Sequence, residues 1–70
     1  MCTVTIKNHN YEEVPVGAVI KGAVPYHSTI TGNLLGYEIK GSLLLAAGAS
    51  DKAISKDHEY FFSCGQVNRA

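Results

Sequence analysis

The clearest alternation of apolar and polar positions in the chain runs from residue 37 to residue 45. Apolar side chains occupy the odd positions except at Gly41, and polar side chains occupy the even positions as far as Ser42. Because successive side chains of a β-strand point to opposite faces, this pattern predicts a strand with one buried face. We expect Tyr37 and Ile39 on the inner face and Lys40 in solvent.

Two shorter segments show related patterns. Residues 3 to 7 alternate, with Val4 and Ile6 on one face and polar residues on the other, which predicts a half-buried strand. The polar run Asn8-His9-Asn10 that follows predicts a turn. Residues 60 to 64 are aromatic and short, and they predict a closing strand near the end of the chain.

The segment from residue 14 to residue 24 is apolar on both faces, because Val19 and Ala23 interrupt the face that carries Lys21. Such a strand is either covered on both sides or contributes a face to a subunit contact. Pro15 and Pro25 bracket the segment. Since proline lacks the N–H group that a central strand needs, we expect a strand of about nine residues between them.

The two strand segments also share a repeated motif. Residues 16–24 return nineteen positions later as residues 35–43, so that Gly-x-x-Ile-Lys-Gly is written twice. The repeat predicts sister strands with a buried isoleucine, an outward lysine and a glycine suited to a bulge or bend. A fainter echo, Thr5-Ile6-Lys7-Asn8, precedes the first copy. We expect both glycines to bend one curled sheet at the same height.

The region after Gly48 has weaker signals. Ser50 can cap a helix, which predicts one or two helical turns near residues 50–58, although Asp51-Lys52 could equally form a hairpin turn. Together the segments predict a mainly β fold in a single domain spanning residues 1–70. We expect a small curled antiparallel sheet or an SH3-like barrel of four to five strands.

Composition and charge restrict the function. Hydrophobic residues make up 46% of the chain and charged residues 17%, which indicates apolar surface that a partner covers. Six basic and six acidic residues cancel, so nucleic acid is disfavoured as a partner. The chain starts without a secretory signal pattern, and its longest apolar run is far short of the ~20 residues that span a bilayer. We therefore expect a cytoplasmic protein.

Catalytic and metal chemistry have little support. Cys2, His9, His58 and Cys64 form a mirrored set, but a seven-residue strand separates Cys2 from His9 by about 23 Å, which is too far for one zinc ion. No motif surrounds Ser28 or Cys64 as in a nucleophilic enzyme. We expect no enzyme activity, metal or cofactor. Whether the two cysteines pair is open, with reduced thiols favoured.

The sequence favours a non-enzymatic module for protein interaction, of the size of small regulators and phage-encoded inhibitors. We expect it to bind a protein partner, and to form homo-oligomers through strand 14–24. The alternative is that it binds a small anionic ligand such as a nucleotide through Lys21 and Lys40 at a subunit interface. The candidate binding residues are Val19, Lys21, Ala23, Tyr26, Tyr37 and Lys40.

Overall fold

The structure, a computed structural model, describes residues 2–7 and 14–69. In these ranges the chain forms a curled half-barrel of five antiparallel strands with one short helix. The elements are β1 Cys2–Ile6, β2 Val19–His27, β3 Leu34–Lys40, α1 Gly41–Ala46, β4 Glu59–Ser63 and β5 Val67–Arg69. The strands lie in the order β4-β3-β2-β1-β5. The turn expected at residues 8–10 and the histidine at position 9 lie outside the described residues.

The hydrophobic core lies on the inner face of the curled sheet. The predicted inward residues Val4, Ile6, Ile20 and Ile39 are all buried. Side chains from outside the sheet complete the core, and among them Leu44 of α1 is 0% exposed. Among the described residues, the buried hydrophobic core consists of Cys2, Val4, Ile6, Val14, Ile20, Ala23, Tyr37, Ile39, Leu44, Ile54, Phe62 and Val67. Burial of these apolar groups is the main stabilising contribution to so small a domain.

A bulge at Gly22 changes which side chains of β2 face inward. Cys2 of β1 pairs with Ala23, but the next residue of β1 pairs with Lys21, so Gly22 is an extra residue in β2. Its φ of 124° is a conformation that glycine adopts readily. Ala23 consequently points into the core with Ile20, and its predicted outward position is wrong. The bulge predicted at this glycine is confirmed.

The predicted limits of the second strand are also wrong. The strand runs from Val19 to His27, and Gly17 forms a turn with a φ of 93° before it. Pro25 lies inside β2, where it pairs with Tyr37 of β3. On the other side of β2, β1 begins at Cys2, opposite Ala23. Pro25 therefore lies beyond the end of β1, and its missing N–H interrupts no hydrogen bond to that strand.

The third strand ends at Lys40, five residues earlier than the alternation predicts, and α1 begins at Gly41. Residues 43–47 are leucine and alanine, which favour a helix and lack the β-branched side chains of a strand. The backbone carbonyl of Ser55 lies where a Cβ atom of Gly41 would be. Gly41 thus permits a close approach of two segments, whereas Gly22 forms a bulge. The expectation that both glycines bend equivalent strands is wrong.

The segment after α1 consists of turns, one of which spans Ser50 to Ile54. The amides of Ala53 and Ile54 both donate to the Ser50 carbonyl, at 3.3 and 3.0 Å. The Lys52 amide donates to the Ser50 hydroxyl at 3.3 Å. The turn places Ile54 in the core. Within the described ranges, no helix is long and apolar enough to cross a membrane.

Candidate functional site

The outer face of the sheet presents apolar and charged side chains to solvent. Alternation along the strands directs these side chains away from the core. We call the outward residues of β2, β3 and β4 the outer face. Its members are Val19, Lys21, Val24, Tyr26, Glu38, Lys40, Glu59 and Phe61.

Three apolar residues form the centre of the outer face, and we call them the aromatic patch. Val24 is 51% exposed, Tyr26 is 47% exposed and Phe61 is 38% exposed. The rings of Tyr26 and Phe61 meet edge to face, with centroids 6.0 Å apart and an interplanar angle of 79°. This is a favourable aromatic geometry, and it holds both rings in one arrangement before any partner binds.

A cleft lies beside the aromatic patch, between the outer face and the first turn of α1. Its volume is about 370 Å³, and it is lined by Gly22, Val24, Glu38, Lys40, Leu43 and Glu59. Gly22 leaves space on one side because it has no side chain. The lining contains two carboxylates and one ammonium group, so its formal charge at neutral pH is −1.

The carboxylate of Glu38 has an apolar setting. In the register of the sheet, Glu38 lies between Val24 of β2 and Phe61 of β4. Glu59 lies opposite Lys40. No hydrogen bond or ion pair joins the side chain of Glu38 or Glu59 to another residue in the part of the chain that the structure describes. Both carboxylates can therefore accept a donor from a partner.

The structure separates the sequence-predicted binding residues into two groups. Val19, Lys21, Tyr26 and Lys40 are exposed on the outer face. The other two candidates, Ala23 and Tyr37, are 0% and 3% exposed and belong to the core. Their side chains therefore cannot contribute to a surface patch in this fold.

Sequence reasoning missed four residues of the outer face: Val24, Glu38, Glu59 and Phe61. A one-residue bulge at Gly22 reverses the alternation of inward and outward side chains in the residues that follow. Applying that reversal to the sequence would have assigned Val24 to the outer face. Phe61 could have been found from the alternation of residues 59–63 once Phe62 was assigned to the core. No sequence signal indicated that the two glutamates would line one cleft.

The two predicted binding lysines are not brought into one cleft. Lys40 lines the cleft with Glu38 and Glu59. Lys21 is exposed on β2 opposite Thr3 and does not line the cleft. The negative formal charge of the lining opposes an anionic ligand at this position.

The cysteines are free thiols. Cys2 is buried and Cys64 is exposed. The Cys64 thiol donates to the Leu34 carbonyl oxygen with a Sγ–O distance of 3.6 Å. His58 packs edge to face against Tyr60, with ring centroids 4.8 Å apart. Among residues 2–7 and 14–69, no group of three histidine, cysteine or acidic residues is arranged to hold a metal ion.

Comparisons with known proteins found no match to a protein-family model, to a curated protein or to a solved structure.

Proposed function

We propose that this protein is a non-enzymatic, cytoplasmic interaction module that occupies a surface of another protein through the aromatic patch, and that it acts as a small regulator or inhibitor. The observation that carries the proposal is the contiguous exposure of Val24, Tyr26 and Phe61. These side chains stand on the solvent side of a sheet whose inner face already has a closed core.

The arrangement of the patch suits protein binding. Aromatic side chains dominate the energetics of many interfaces because they bury a large area with few rotatable bonds. The contact between the Tyr26 and Phe61 rings limits their freedom in the unbound protein. Less conformational entropy is then lost when a partner binds, which favours affinity.

Self-association is the second candidate for this surface. β2 pairs with β1 through residues 19–23 and with β3 through residues 24–27. A homo-oligomer that uses the outward side chains of β2 packs the outer face against a second copy of the chain. Val19, which is 55% exposed, extends the apolar part of that face beyond the aromatic patch. Sedimentation equilibrium over a range of protein concentrations tests this candidate directly.

Binding of a small anion through Lys21 and Lys40 is less favoured, because only Lys40 lines the cleft and two glutamates accompany it. A thermal melt with nucleotides tests this alternative. A ligand at a hundred times its dissociation constant adds about 2.7 kcal/mol to the free energy of unfolding. An unchanged melting temperature with each nucleotide excludes nucleotide binding.

Site-specific photo-crosslinking tests the proposed function. A photoreactive phenylalanine analogue replaces Val24 in one sample and Ile30 in another, and each protein is irradiated in lysate of its native cells. Ile30 lies in the loop between β2 and β3, outside the patch, and is 93% exposed. We expect a discrete crosslinked protein from position 24 and none from position 30.

The mass of the crosslinked product distinguishes the two candidates. A product of twice the mass of the chain indicates self-association, and a product containing another polypeptide supports the proposed function. Equal labelling from both positions, or no product from position 24, contradicts a binding role for the patch.

A further inference from the structure

We propose that the cleft beside the aromatic patch receives a basic side chain of the protein partner, with arginine preferred over lysine. This inference rests on the proposed function and names the chemistry of the partner. The cleft would fix the register of the interface, while apolar residues of the partner cover Val24 and the two aromatic rings.

Charge complementarity identifies the occupant. The lining has a formal charge of −1, and its two carboxylates are not engaged with other described residues. Glu38 lies between apolar neighbours on both adjacent strands, so a partner that covers those neighbours also removes water from its carboxylate. An uncompensated carboxylate there would oppose binding, whereas a basic side chain supplies the missing charge.

The spacing of the carboxylates suits a guanidinium group. Glu38 of β3 pairs with Phe61 of β4, and Glu59 precedes Phe61 by two residues on β4. The two glutamates are therefore diagonal neighbours on one face of the sheet. The backbones of diagonal neighbours on antiparallel strands are about 7–8 Å apart, which is within reach of long side chains, so both carboxylates can approach one planar group with several donors. A lysine ammonium is a point charge and satisfies such a pair less well.

The remaining walls of the cleft suit the stem of the same side chain. Val24 and Leu43 offer aliphatic surface, and Gly22 adds no side chain to obstruct entry. The methylene groups of arginine or lysine pack on surfaces of this kind while the charged group stays among polar atoms. The cleft therefore matches both parts of a basic side chain.

The positive charge of Lys40 opposes the binding of a basic side chain in the cleft. Lys40 lies opposite Glu59 and lines the same cleft, so its ammonium group repels an incoming cation. Replacing it with glutamine should strengthen the binding of a basic peptide. An anion site at this position would require the opposite result, so this variant separates the two ligand classes.

Peptide titration followed by NMR tests the proposal and does not require the partner to be identified. The probes are the capped peptides acetyl-Leu-Arg-Leu-amide and acetyl-Leu-Gln-Leu-amide, added to uniformly ¹⁵N-labelled protein. We expect saturable shifts of the Gly22, Leu43 and Glu59 amide signals with the arginine peptide only. Glu38→Gln should weaken this binding about tenfold, as loss of a desolvated charge pair does.

Matched variants complete the test. Asp51→Asn removes one exposed carboxylate from the turn after α1 and should leave the peptide dissociation constant unchanged. Lys40→Gln should lower that constant. Thermal melts confirm that each variant is folded, which is expected because each of these side chains is on the surface or half-buried.

Two results would overturn the inference: equal shifts with the glutamine peptide, or undiminished arginine binding after both Glu38→Gln and Glu59→Gln. Crosslinking of a partner from position 24 that both glutamine variants leave unchanged would also reject it, while the proposed function would stand. Specific arginine binding without any crosslinked partner would instead reject the proposed function.

Discussion

The ring of Phe61 on β4 lies over Gly36 on β3, so that a Cβ atom at Gly36 would come within 2.7 Å of the Phe61 Cζ atom. Beyond Gly36 the same ring meets Tyr26 of β2. The two aromatic residues belong to strands that are not neighbours in the sheet, because β3 lies between them. The missing side chain at position 36 therefore allows the aromatic patch to form.

Gly36→Ala should destabilise the protein and disturb the patch. The added methyl group would collide with the Phe62 carbonyl oxygen as well as with the Phe61 ring, and the backbone atom cannot move without distorting the β3–β4 pairing. Overpacking of this kind lowers the free energy of unfolding by about 1–3 kcal/mol. Urea denaturation followed by circular dichroism measures the change.

The matched control for this substitution is Gly65→Ala. A Cβ atom at Gly65 meets nothing within 4 Å, and its backbone does not have a positive φ. Its urea midpoint should stay close to that of the unmodified protein. Equal stability of the two alanine variants would show that position 36 tolerates a side chain.

Gly41→Ala should be more damaging than Gly36→Ala. The Gly41 amide donates to the His58 carbonyl oxygen at 2.7 Å, and a Cβ atom there would overlap the backbone carbonyl of Ser55. Separating these segments removes the contacts that begin α1 and bring Leu44 into the core. Since a domain of this size has a margin of roughly 3–5 kcal/mol, we expect a largely unfolded variant.

Near-ultraviolet circular dichroism and the dispersion of amide NMR signals measure this outcome. Ser42→Ala, on the exposed position next to Gly41, is the control within the same helix and should remain folded. If Gly41→Ala unfolds cooperatively and with near-normal stability, the backbones at Gly41 and Ser55 are farther apart than in the structure.

The fold could be predicted from the sequence where one face of a strand is uniformly apolar. Val4 and Ile6 determined which face of β1 points inward, and Ile39 did the same for β3, because a one-residue shift of either strand would expose an aliphatic side chain. The repeated motif also placed Ile20 and Ile39 correctly in the core. In these segments local pattern and tertiary packing agree.

The errors arose where one glycine in the repeat serves a different physical purpose from the other. Gly22 reverses the parity of β2, and Gly41 lets a distant carbonyl approach the start of α1. Neither purpose is encoded in the residues nearby. The candidate site depended on the same information, because the bulge decides that Val24 belongs to the outer face and Ala23 to the core.

The two thiols should differ in reactivity. Cys64 is exposed and Cys2 belongs to the core, and both are free. In the folded protein we expect a thiol reagent such as iodoacetamide to modify Cys64 and to reach Cys2 only after denaturant is added. Mass spectrometry of the digested protein locates the modified residue. Rapid modification of both thiols under native conditions would contradict the placement of β1.

The tyrosines at positions 26 and 37 should respond differently to alanine. Tyr37 is 3% exposed in the core, so Tyr37→Ala should lower the free energy of unfolding by about 3–5 kcal/mol and leave little folded protein. Tyr26 is 47% exposed and its ring contacts Phe61, so Tyr26→Ala should preserve the fold. The loss of that ring contact costs about 0.5–1.5 kcal/mol.

Tyr26→Ala should impair partner binding although it preserves the fold, because Tyr26 belongs to the aromatic patch. Tyr26→Ala should weaken capture of the partner that crosslinks at position 24 by tenfold or more, as expected of an aromatic residue central to an interface. Ile30→Ala, which removes a more exposed apolar side chain outside the patch, should leave capture unchanged. Quantitative pull-down with the folded variants measures both. Unchanged capture by a Tyr26→Ala variant whose own thermal melt shows that it is folded would exclude this ring from the interface.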